Sequence, residues 1–318
     1  MAQRSLSTKV VYSLALAAIV YIGLSLWAGW GDLALAARQF NWWWMPVVLS
    51  LSCLNYLLRF VKWQYYLRVL GLAVPRRESF MIHLSGLALS ITPGKLGEMV
   101  KSYFLLKRYG YPVAQTTPIV LADRLTDLLS LVILASIGAI GFDYGQKVVW
   151  ITAVIMLLIV ALVTIRPIGE RLLGAVQKIP GLRQRAAGLR QMYESSYLLL
   201  RFDRLVGPVL ISVVSWGCEA VGFWLIFLGL GLNYGLLPAI FIYAFSTIAG
   251  AVAMLPGGLG VTEGAIAGLL RLLTVPAATA ALATLLVRAA TLWFAVLVGT
   301  MVMIKTERRF ILHYEQIS

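Results

Sequence analysis

Apolar residues along this chain fall into long runs separated by short basic stretches. Residues 10–30 form the first run, and about 20 apolar residues are enough for a helix to cross the roughly 30 Å hydrocarbon core of a bilayer. Residues 31–41 read as a short loop. A second run extends to about Tyr66 and opens with Trp42, Trp43 and Trp44, whose amphipathic indoles fit a membrane–water interface better than a ligand platform. Further full-length runs cover residues 113–142, 147–165, 206–230 and 277–304.

Two stretches break this pattern. Residues 90–98 read S-I-T-P-G-K-L-G-E, and residues 255–263 read L-P-G-G-L-G-V-T-E. Pro93, Gly94 and Gly97 in the first, and Pro256, Gly257, Gly258 and Gly260 in the second, are poor at continuing a helix. The arms around the first break, residues 79–91 and 99–108, are too short to span a membrane. Two short arms joined by a Pro-Gly break predict a re-entrant hairpin, tolerated at membrane depth where it is buried in protein or lines a wet cavity. Residues 236–253 and 264–273 predict a second hairpin by analogy, although the first of these arms is long enough to cross.

The repetition reaches beyond the breaks. Pro93 and Pro256 are offset by 163 positions, while the pairs Pro112/Arg124 and Pro276/Arg288 are offset by 164. Leu70-Gly71-Leu72 matches Leu230-Gly231-Leu232, a register that sets Arg59 opposite Glu219. The predicted fold is an all-α polytopic membrane protein, one transmembrane domain over 1–318. Repeat 1 covers 1–142 and repeat 2 covers 147–304, each with three spans and a re-entrant hairpin. An odd number of spans per half inverts the second half relative to the first.

Composition fits this class: 60% of the residues are hydrophobic, 13% are charged, and mean hydropathy is +0.86. The net charge of +14 belongs to topology and anionic headgroups, and no nucleic-acid motif accompanies it. With the N-terminus in the cytoplasm, 21 Lys and Arg fall on the cytoplasmic side and 3 on the far side, so both termini are placed inside a cytoplasmic (inner) membrane. Eight of the 21 lie around the first hairpin, Arg59, Lys62 and Lys101 among them, and eight lie in residues 166–204. That segment reads as a basic amphipathic helix on the membrane surface, or else as a partner-binding helix. Cys53 and Cys218 read as small buried hydrophobes. His83 reads as a packed or capping residue, and no metal or cofactor motif is present.

Candidate chemistry lies in the intramembrane charges. Arg124 and Arg288 sit about 18 Å along their helices, near the bilayer centre, where a guanidinium faces a cavity or a partner. Their forks match phosphate oxygens; the alternative is that each locks to a local acid, with Glu98 and Glu263 the obvious partners. Asp123 and Asp127 share a helix face beside Arg124. Lys95 sits in the first break, where the second has Gly258. Lys101, Arg59 and Glu219 are supporting charges. No nucleophile elbow, P-loop or catalytic triad is visible.

T-P-G-K-L-G-E at 92–98, a basic segment, A-D-R at 122–124, and L-P-G-G-L-G-V-T-E-G at 255–264 together resemble the lysylphosphatidylglycerol synthase transmembrane-domain family. This is the flippase portion of the multiple peptide resistance factor and its stand-alone relatives. The resemblance implies a lipid flippase-like transporter with Lys95, Glu98, Arg124, Glu263 and Arg288 along the headgroup path. Full-length members carry a cytoplasmic aminoacyltransferase domain, whereas this sequence ends at Ser318, so no synthase activity is expected. The implied partners are a membrane lipid and a lipid-synthesising enzyme encoded separately. An integral-membrane enzyme acting on a lipid or lipid-linked sugar, and a proton- or ion-coupled small-solute transporter, are the alternatives.

Overall fold

The computed structural model describes residues 2–93, 96–141, 150, 151, 154 and 186–314. The expected span at 147–165, most of the basic segment, and Gly94 and Lys95 at the first break lie outside the described residues. What is described is helical, without strands, and several of its helices are long and apolar enough to cross a membrane.

Helix α1 (Ala2–Ala28) bends by 89° at Gly29 into α2 (Trp30–Gln39). The loop expected over 31–41 is therefore mostly helix. Leu33, Leu35, Ala36 and Ala37 favour helix, Leu33 is buried, and Gly29 takes the sharp corner at φ +80°. Trp42 and Trp43 stay exposed, as an interface pair would. Helix α3 (Trp44–Val69) follows and ends in a left-handed cap at Gly71, where the Leu72 N–H reaches the Leu67 carbonyl at 2.9 Å.

The first break lies between α4 (Arg76–Leu87) and a short 3₁₀ turn (Leu96–Met99) that leads into α5 (Val100–Tyr109). The outer ends of these arms are tied together: Glu78 at the start of α4 accepts hydrogen bonds from Arg108 at 3.1 Å and Tyr109 at 2.5 Å. Helix α6 (Val113–Gly138) follows. After the undescribed segment come α7 (Ala186–Leu200) and α8 (Phe202–Gly229). Helix α7, the end of the expected amphipathic segment, packs on α6 and buries Leu199 and Leu200.

Helix α8 ends as α3 does, with Gly231 left-handed and the Leu232 N–H bonded to the Phe227 carbonyl at 2.9 Å. The two matched Leu-Gly-Leu triplets thus form the same cap. Helix α9 (Leu236–Val252), the second break, and α10 (Val261–Leu272) follow. Helix α11 (Ala277–Arg288) runs through a wide π-turn (Ala289–Trp293) into α12 (Phe294–Tyr314).

Helix α8 packs on α3 and α6, α9 on α6, and α12 on α4. Two glycines set close approaches. A Cβ on Gly138 would meet the Phe241 backbone nitrogen at 2.5 Å, and one on Gly299 would meet that of Ala88 at 2.1 Å. Helices α6 and α12 therefore press directly onto the backbones of α9 and α4, the latter contact just ahead of the first break.

Candidate functional site

Three residues apart on α3, Arg59 and Lys62 share a helix face, as do Asp123 and Asp127 four apart on α6. The two faces meet. Lys62 Nζ lies 2.7 Å from Asp123 and 2.6 Å from Asp127. Arg59 lies 3.1 Å from Asp123 and 3.4 Å from Asp127. Arg124 adds contacts to Asp123 at 2.7 Å, to Asp127 at 3.4 Å, and to Glu98 on the first break at 3.1 Å. Glu98 also holds Lys101 at 3.1 Å. Desolvating an isolated charge costs several kcal/mol or more, and the reciprocal contacts offset that cost.

Arg59, Lys62 and Lys101, counted above on the cytoplasmic side, are buried members of this cluster. Arg59 and Lys62 lie well inside α3, and Lys101 sits in the first turn of α5, where acids from α6 and the break meet them. Without these three the cytoplasmic tally falls from 21 to 18, still far above 3.

The second break has its own pair. Arg288 lies 2.7 Å from Glu263 and donates to the Gly257 carbonyl at 2.6 Å. The other oxygen of Glu263 accepts the Gly260 N–H at 2.7 Å, at the N-terminus of α10, where a carboxylate is favoured. Tyr21 of α1 donates to Glu263 at 3.5 Å and accepts from the Trp293 indole at 2.7 Å. Arg124 and Arg288 thus take the glutamates expected for them. Arg59 turns to Asp123 and Asp127, while Glu219, set opposite it by the sequence register, accepts the Tyr243 hydroxyl.

The two breaks touch. Pro93 and Pro256 lie side by side as an isolated antiparallel bridge, and Ile91 packs against Gly257. Gly257, Gly258 and Gly260 all have positive φ, which a side chain would strain. Gly97 sits in the 3₁₀ turn, where a Cβ would collide with Leu89 and Thr92.

Beside the meeting breaks is a cavity of about 340 Å³. Arg59, Arg124, Asp127, Glu219 and Arg288 line it, so charges from both halves of the chain face one space. Its walls are largely aliphatic, including Leu87, Leu128, Leu131, Ile266 and Leu292. Leu121 on α6 is 41% exposed and Met254 after α9 is 62% exposed, and both line the cavity, so it reaches the protein surface beside them.

The sequence reading missed Lys62, Ser212, Tyr21 and Tyr243 as site residues. Lys62 was findable, because a basic pair three apart on one helix matches an acidic pair four apart on another. His83 is buried and packs on the rings of Phe60 and Trp63, in line with a packing role. Cys53 is exposed and Cys218 half-buried, which corrects the expectation that both are buried; in a membrane-spanning helix a small thiol is compatible with an outward face. Among the described residues no three His, Cys, Asp or Glu side chains are grouped as a metal ion needs.

Residues 10–299 match the family described as lysylphosphatidylglycerol synthase TM region. The chain belongs to this family. Its relatives include a UPF0104 membrane protein of Methanothermobacter thermautotrophicus, 26% identical, with 89% of this chain and 90% of the relative covered. A UPF0104 membrane protein of Pyrococcus horikoshii is 24% identical over 82% of this chain and 87% of its own. One from Methanocaldococcus jannaschii is 24% identical over 70% of this chain and 95% of its own. The family match spans both breaks and all four arginines and lysines of the ion cluster.

Proposed function

We propose that this membrane protein is a lipid flippase-like transporter, moving a lipid with a phosphate or other charged headgroup across the cytoplasmic membrane. The observation that carries this reading is one cavity, beside two helix breaks, lined by Arg59, Arg124 and Arg288 and reaching the surface at the apolar residues Leu121 and Met254. A lipid needs both parts at once: cationic forks for the headgroup, and a lateral opening that leaves the acyl chains in the bilayer. Lys95, Glu98, Arg124, Glu263 and Arg288 form the proposed headgroup path.

The same reading treats the chain as two inverted repeats, 1–142 and 147–304, with one re-entrant hairpin each and both termini cytoplasmic. Supporting it are the paired Glu–Arg contacts at the two breaks, the identical caps at Gly71 and Gly231, and the tie between the outer ends of α4 and α5. Inverted halves meeting at broken helices are a recurring transporter plan. A role as an acid–base enzyme is less favoured, because Glu98, Asp123, Asp127 and Glu263 are each held by cations at 2.6–3.4 Å.

The test is reconstitution of the full chain into liposomes and measurement of labelled-lipid movement between leaflets. Acceleration of a charged lipid over protein-free vesicles is expected. No acceleration across a panel that includes polyprenyl phosphates, or turnover of a lipid in place of movement, would sink the reading.

A further inference from the structure

The acids of the larger cluster are held by two kinds of cation. Lys62, 0% exposed, contacts Asp123 and Asp127, and Lys101, 2% exposed, contacts Glu98. Neither lysine lines the cavity. Arg59 and Arg124 contact the same acids and do line it. The Nε atoms of both arginines are buried with no hydrogen-bond partner, whereas Lys62 is further fixed by Ser212 at 2.7 Å and Thr126 at 3.3 Å. Four cations and three acids make these contacts, and Glu219, which lines the same cavity, brings the local charges into balance.

Resting on the headgroup reading above, we propose that Arg59 and Arg124 exchange between the buried acids and the phosphate of a singly charged phosphodiester lipid, while Lys62 and Lys101 are fixed counter-ions that hold the vacated acids. The lysines are positioning residues: they touch no ligand but free the arginines to do so. Lysine suits a fixed point charge, and the planar guanidinium suits a bridge between two oxygen sets. The second break reaches the same end with neutral donors, since Glu263 keeps the Gly260 N–H and the Tyr21 hydroxyl when Arg288 turns to a ligand. In a dry site an acid left without any partner would oppose the exchange.

The test uses the full chain in detergent micelles, with thermal unfolding followed against added short-chain phosphatidylglycerol. Short-chain diacylglycerol and inorganic phosphate are the two control arms. Wild type is expected to shift with phosphatidylglycerol and not with diacylglycerol. Lys62→Met is expected to weaken the apparent affinity about tenfold, the scale of a coupling between neighbouring sites, because Arg59 and Arg124 become pinned to Asp123 and Asp127. Lys62→Met/Asp127→Asn, which removes one cation and one acid together, is expected to restore it. A merely structural lysine would lower the unfolding temperature without altering lipid affinity.

If Lys62→Met does not fold, Lys101→Met carries the same test on the other acid, with the same loss of affinity expected. A wild-type response with unchanged affinity in the lysine variants overturns the exchange alone. A wild type that answers phosphatidylglycerol no better than diacylglycerol overturns the headgroup reading, and the exchange with it. An equal response to inorganic phosphate supports the exchange but removes the lipid as its ligand.

Discussion

Pro93 and Pro256 stand side by side as an antiparallel bridge, although 163 positions separate them in the chain. Each proline interrupts a helix, and their contact brings the two interruptions to one place beside the cavity. The ion pairs Glu98–Arg124 and Glu263–Arg288 flank that contact, one on each break. Helix breaks that meet in this way depend on backbone shapes that few residues tolerate.

Gly258→Ala should destabilise the protein more than Gly231→Ala. Both glycines have positive φ, where a Cβ costs roughly 1–2 kcal/mol. At Gly231 a Cβ has open space, whereas at Gly258 it would lie 2.6 Å from the Thr262 hydroxyl. Thermal unfolding in detergent compares the two, and equal shifts would remove the special role assigned to packing at the break.

Arg288→Met should lower stability by about 3–5 kcal/mol, because it leaves Glu263 buried without its cation. Arg288→Met/Glu263→Gln should recover much of that loss while lipid movement stays absent. Recovery of both would reduce Arg288 to a structural lock.

The breaks, both intramembrane arginines and their glutamate partners were legible because each depends on local sequence. Pro-Gly punctuation and a charge in an apolar run are visible without a partner in hand. Lys62 was harder to read as a site residue, because near the end of an apolar run a lysine looks like a surface cation unless its spacing from Arg59 is matched to that of Asp123 and Asp127. The 31–41 stretch was misread for a related reason. Its charged residues, Asp32 and Arg38, suggest a loop, but Leu33 finds a buried position only once α2 turns through Gly29. The apolar mouth was beyond sequence reasoning, since Leu121 and Met254 are ordinary apolar residues until their exposure and the cavity are both known.

Leu121→Trp should narrow the mouth and cut lipid movement about tenfold or more, the scale seen when a packed group is misplaced near a site, with little change in stability. Ile133→Trp is the matched control: Ile133 is also an exposed position on α6 but does not line the cavity. Equal effects of the two substitutions on leaflet exchange would place the path elsewhere.

Orientation has its own test. In a Cys53→Ser/Cys218→Ser background, Gly110→Cys should react with a membrane-impermeant thiol reagent only from the cytoplasmic side, and Asn41→Cys only from outside. Labelling of both from one side would overturn the proposed topology, in which positive loops face the cytoplasm.

Tyr21 links the beginning of the chain to its end, bonded to Glu263 and Trp293 and packed edge-on to the Trp293 ring. Helices α1 and α2 both pack on α11. During synthesis α1 therefore acquires this packing only after more than 240 further residues have been added. Until then its hydroxyl and its α11-facing side lack these partners. A half-length chain would keep α1 but lack the surface it completes. The two halves are thus interdependent in assembly, and separately expressed pieces should gain their stable fold only together.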